Sequence, residues 1–83
     1  MNLEANFPYE AAEEISKVLE VGKEKGYPNG FWRTLPSAFH AEKAYLHLQR
    51  LLYPATPVEP EEDHLAHALT RLAMAVSCRK IGK

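Results

Sequence analysis

Prolines and glycines cut this chain into three stretches, and that punctuation limits what it can fold into. The run Gly26-Tyr27-Pro28-Asn29-Gly30 is dense in helix breakers, and Pro54, Pro57 and Pro60 stiffen a second connection. The stretches between them carry apolar residues at 3.6-residue spacing, with no useful length of β alternation. The expected fold class is therefore all-α, with three principal helices in a small bundle. The first starts near Pro8 and runs to about Lys25, with Ala11, Ala12, Ile15, Val18, Leu19 and Gly22 as its apolar stripe. The second opens at Pro36-Ser37, with Ser37 as N-cap, and runs to about Tyr53. Ala41, Ala44, Tyr45, Leu48, Leu51 and Leu52 are its expected buried side. The third begins among Glu59, Glu61, Glu62 and Asp63 and ends near Lys80. Its expected stripe is Leu65, Ala68, Leu69, Leu72, Ala73 and Val76. Phe31, Trp32 and Leu35 are expected to fold back onto the core.

Residues 1–83 make one domain. A chain of 83 residues buries only roughly 60–65% of the surface its unfolded form exposes, so completion by homo-oligomerisation is expected. The 10 Lys and Arg nearly cancel the 11 Asp and Glu, which excludes nucleic-acid binding by bulk positive charge. No apolar run approaches the ~18 residues of a membrane span. The stretch MNLEANFPYE lacks the basic-then-apolar layout of a secretory leader. The single Cys78 forms no intrachain disulfide and no multi-cysteine zinc site; it is expected to be a buried, inert thiol in a cytosolic protein.

The chemistry-bearing side chains fall on the second and third helices. His40, Lys43, His47 and Arg50 share one helix face, and His64, His67 and Arg71 share another. Packed antiparallel, these stripes line one groove or stand on a shared surface. Converging imidazole and guanidinium donors suit phosphate oxygens. The competing reading is a pair of solvated helix faces with histidine as polar filler. His64 and His67, with His47 or Glu13, form a candidate metal site. Trp32 with Arg33 beside it, and Tyr27 and Phe31 nearby, can sandwich a base by stacking and cation–π contact; plugging the core is the alternative for Trp32 and Phe31. A magnesium- or manganese-dependent nucleotide hydrolase needs clustered acidic oxygens, for which Glu10, Glu13 and Glu14 are the candidates. Surface acids that complement the helix dipole are the other reading of the same residues.

The segment EEISKVLEVGKEKGYPNGFWR resembles a stretch in the phage-associated dATP/dGTP diphosphohydrolase N-terminal domain family, of the all-α, MazG-like pyrophosphohydrolase type. AYLHL is similar to that family's A-L-R-H-L, and HLAHA matches its H-L-A-H-A. The resemblance covers roughly residues 7 to 78. It points to Glu13, Glu14, Lys17, Trp32, Arg33, His47, His64 and His67. It implies an oligomeric all-α domain of phage or prophage origin, with purine nucleotide as ligand class, in the cytoplasm of an infected bacterial host. Leu46 stands where the family has Arg, and YPATPVEPEED replaces its acidic, glycine-containing loop before HLAHA. These departures remove phosphate-binding cations and candidate metal ligands.

The expected function is a small oligomeric nucleotide-binding protein that sequesters a nucleotide-derived immune signal, of the cyclic nucleotide or ADP-ribose type. Its expected ligand contacts are Trp32, Arg33, His40, Lys43, His47, Arg50, His64, His67 and Arg71. The alternatives are a magnesium- or manganese-dependent pyrophosphohydrolase, with Glu13, His64 and His67 as catalytic candidates, and a protein-interaction module that inhibits a host protein.

Overall fold

The computed structural model describes residues 5–53 and 63–83. They form three helices, α1 (Tyr9–Glu24), α2 (Ser37–Leu52) and α3 (His64–Lys80), with a 3-10 turn at Phe31–Thr34. Pro54, Pro57 and Pro60, with Glu59, Glu61 and Glu62, lie outside the described residues. Among the described residues no strand occurs, and no helix is long and apolar enough to cross a membrane.

Glycine terminates two of the helices by the same device. Gly26, at φ +96°, closes α1: its N–H bonds the Lys23 carbonyl and the Tyr27 N–H bonds the Gly22 carbonyl. Gly82, at φ +85°, closes α3 in the same way through the Arg79 and Cys78 carbonyls. Both are Schellman closures, which need a left-handed residue that lacks a Cβ penalty. The second closure also serves α2. The Lys83 carbonyl that follows it accepts from the Ser37 N–H at 2.9 Å. Ser37 is thus the first helical residue rather than the N-cap, and its side chain makes no cap bond. Asp63 does cap α3, accepting from the Ala66 N–H at 3.0 Å.

α2 and α3 pack antiparallel: His40 meets Arg71, and His47, seven residues on, meets His64, seven residues back. Ala44, Ala68 and Ala75 are buried in this pair, and small side chains let helices approach closely. α1 packs on α3 and makes no helix contact with α2 among the described residues. None of its residues is fully buried; Ala11, Ala12, Ile15, Val18 and Gly22 of its stripe are half-buried and Leu19 is exposed.

On the two long helices the expected stripes are only partly inward: Ala44 and Ala68 are buried and Leu48, Leu69 and Ala73 half-buried, while the other large apolar members face out. On α2 only Ala44 of the expected buried side is buried; Ala41, Tyr45, Leu51 and Leu52 are exposed. On α3 Leu65, Leu72 and Val76 are exposed, while His64, Ala66, Ala68, Thr70, Ala75 and Cys78 are buried. The physical reason lies in the polar groups. Turned inward, the histidines and Arg71 satisfy one another, and among the described residues no buried side-chain nitrogen or oxygen is left without a partner. The leucines consequently face out.

Candidate functional site

The centre of the site is the fully buried His40 ring. Its Nε2 lies 2.8 Å from the Trp32 carbonyl oxygen, which can only accept, so Nε2 carries the proton. Nδ1 is then the bare nitrogen, and Arg71 Nη1 donates to it at 3.1 Å. The pattern fixes both the tautomer of His40 and the position of the guanidinium. Cys78, buried as expected, donates from Sγ to the same Trp32 carbonyl at 3.7 Å. The short turn carrying Trp32 is thereby pinned to α2 and α3.

A second pair lies one helical span away. His47 Nδ1 and His64 Nδ1 are 3.0 Å apart, so one ring carries the proton there and the other accepts. The His67 ring stacks on His47 with centroids 5.0 Å apart and 29° between planes. Arg71 sits within 5.9 Å of the Phe39 ring. Burial lowers the Arg71 pKa, and the Tyr27 hydroxyl acts in the opposite sense. A guanidinium starts so far above neutrality that it keeps its charge.

Between α1, the loop that follows it and the α2–α3 pair lies an open cavity of about 520 Å³. His47, His67, Thr70 and Arg71 line one side, and Lys23 and Lys25 line the α1 side. Tyr27, Phe31, Trp32 and Phe39 supply aromatic walls, with Tyr27 and Phe31 stacked at 6.3 Å. No Asp or Glu is among its lining residues in the described part of the chain.

Of the expected ligand contacts, the cavity brings together Trp32, His47, His67 and Arg71. His40 and His64 lie behind it as supports, through their bonds to Arg71 and His47. Arg33 is placed differently: its guanidinium covers the Trp32 ring at 4.3 Å, outside the cavity lining. Lys43 lies 5.4 Å from the Phe39 ring, and Arg50 is exposed; neither lines the cavity. Trp32 is half-buried and Phe31 exposed, so neither is a core plug. Glu10 and Glu13 are exposed on α1, and Glu14 pairs with Lys17 at 3.5 Å. Among the described residues no group of three or more His, Cys, Asp or Glu side chains is arranged to hold a metal ion.

Lys23, Lys25 and Phe39 were not expected at the site. Phe39 stands one turn before Lys43 on the stripe, and a search for aromatics at that spacing finds it. Lys23 and Lys25 read as ordinary dipole-favoured cations at the end of α1, and only the fold brings them opposite Arg71. No family model matches this chain, and no curated protein or solved structure is detectably similar to it.

Proposed function

We propose that this protein binds a purine nucleotide or nucleotide-derived small molecule, with phosphate toward Arg71 and the base among the aromatic side chains. One observation carries the reading: a half-buried guanidinium, oriented by a buried histidine, borders a cavity with aromatic walls and, among the described residues, no carboxylate. A buried cation is costly unless paired, and a phosphate supplies the pairing oxygens. The cavity volume of about 520 Å³ suits a ligand of that size. The role proposed with it is sequestration of a nucleotide signal of the cyclic or ADP-ribose type, in a protein of the phage origin that the sequence resemblance alone implies. Titration calorimetry against a nucleotide panel tests it. The expected result is saturable binding of at least one member, weakened roughly 10- to 100-fold by Arg71→Gln, the range of a lost charged hydrogen bond. The absence of heat with every member contradicts the proposal.

The pyrophosphohydrolase reading needs acidic oxygens beside the bound phosphate. Glu10, Glu13 and Glu14 are not among the cavity residues, which favours binding over hydrolysis. Incubation with dATP or dGTP and manganese separates the two. Pyrophosphate release abolished by Glu13→Ala establishes the enzyme instead.

A further inference from the structure

Tyr45, Leu52, Leu65, Leu72 and Val76 of the exposed apolar residues fall on two regular stripes, with Leu46 and Leu51 lying off them. Ala41, Tyr45, Leu48 and Leu52 on α2, and Leu65, Leu69, Leu72 and Val76 on α3, each follow the spacing 4, 3, 4. That is the seam of a left-handed helical bundle, in which side chains of one helix fill holes on another. On α3 this seam lies roughly 120° around the helix from Arg71, at 100° per residue, and away from His67, Thr70 and Met74 of the cavity. On α2 it likewise lies away from Phe39 and His47. The two seams therefore form one face on the back of the α2–α3 pair, opposite the cavity, and α1 packs elsewhere on α3.

We propose that this face pairs with the same face of a second copy of the chain, giving a four-helix core with the two cavities pointing outward. Three observations choose a second copy over an unrelated partner. A twofold interface lays a surface on itself, so a charge near the axis opposes its own copy, and none of the eight seam residues is charged. Both helices carry the same heptad phase, so two copies present matching half-cores. The exposure is also of the right order. Tyr45 is 53% exposed, Leu52 64%, Leu65 59%, Leu72 46% and Val76 47%. With Ala41, Leu48 and Leu69 they leave roughly 500–600 Å² to solvent, judged from ordinary side-chain areas, which flanking residues extend toward the ~800 Å² per partner of a standard interface. Gln49 donates to the Tyr45 hydroxyl at 3.1 Å, so the polar tip of that ring is already satisfied beside the face.

The test is the mass of the protein in solution by light scattering, followed over a dilution series. The expected mass at micromolar concentration is twice the 9.4 kDa of one chain. Leu52→Glu with Leu72→Glu is expected to give a monomer that keeps its helical circular dichroism. Should that double variant lose its fold, the milder Leu72→Ala is expected to raise the dimer dissociation constant about 10-fold or more. Lys23→Gln, on the cavity side, is expected to leave it unchanged. A monomeric wild-type protein overturns the proposal and assigns the face to some other occupant. An assembly that responds to none of the seam substitutions overturns it as well.

Discussion

His40 shows how one side chain ties local structure to the site. Its ring reaches the Trp32 backbone with one nitrogen and Arg71 with the other, with none of its surface exposed. Removing it leaves Arg71 without its orienting acceptor and the Trp32 carbonyl with the Leu35 N–H, at 3.2 Å, and the long thiol bond. His40→Ala is expected to lower unfolding stability by about 2–4 kcal/mol, combining a cavity with lost buried hydrogen bonds, read by urea denaturation. Arg71→Gln leaves the His40 ring in place and is expected to cost only about 1 kcal/mol by the same measurement, while weakening ligand binding far more. Long-range proton–nitrogen spectra provide a second check at this scale. His40 is expected as the Nε2–H tautomer, and a proton on Nδ1 contradicts the assigned network.

At the scale of elements, Gly26 sets where the cavity wall begins. Its left-handed backbone ends α1 and delivers Tyr27 to the cavity. Nothing lies within 4 Å of a Cβ added there, so substitution costs backbone strain alone. Gly26→Ala is expected to lower the stability by about 1–2 kcal/mol, read as a drop in Tm. α1 itself rests on α3 without a fully buried residue. Its amides are expected to exchange with solvent faster than those of α2 and α3, and to slow when ligand fills the cavity they border. Equal protection of all three helices in the free protein contradicts that reading. Helix existence and rough extent were legible in the sequence, because periodicity and breakers are local signals. The facing of α1 was legible too, but that of α2 and α3 was not. Spacing shows that His40 and His47 share a face, and that Leu65, Leu72 and Val76 share another, but not which one turns inward. That choice depended on hydrogen bonds between residues far apart in sequence, such as His40 with Arg71. The convergence of His47, His67 and Arg71 was legible once an antiparallel pair was assumed. The contributions of Lys23 and Lys25 were not, since they depend on where α1 docks.

The whole molecule has two sides of opposite character. On one, Lys23, Lys25 and Arg71 line a cavity with aromatic walls and, among the described residues, no acidic side chain. On the other, two uncharged heptad seams lie side by side. A net charge of −1 conceals this division, because the described acids line other surfaces, Glu10, Glu13 and Glu14 on α1 among them. The small core explains why such a division persists: Ala44, Ala66, Ala68, Ala75 and Cys78 are its only buried apolar side chains among the described residues. So little apolar burial leaves the bulky leucines free to work at a surface. The cavity needs nothing from the seams to form, so ligand binding and self-association are separable. The most direct test of the account is a nuclear magnetic resonance titration with a purine nucleotide, following backbone amides and the Trp32 indole. The account predicts saturable shifts at Tyr27, Trp32, His67 and Arg71, with Leu65 and Leu72 unmoved. Shifts confined to the leucine seams, or none anywhere at saturating nucleotide, contradict it.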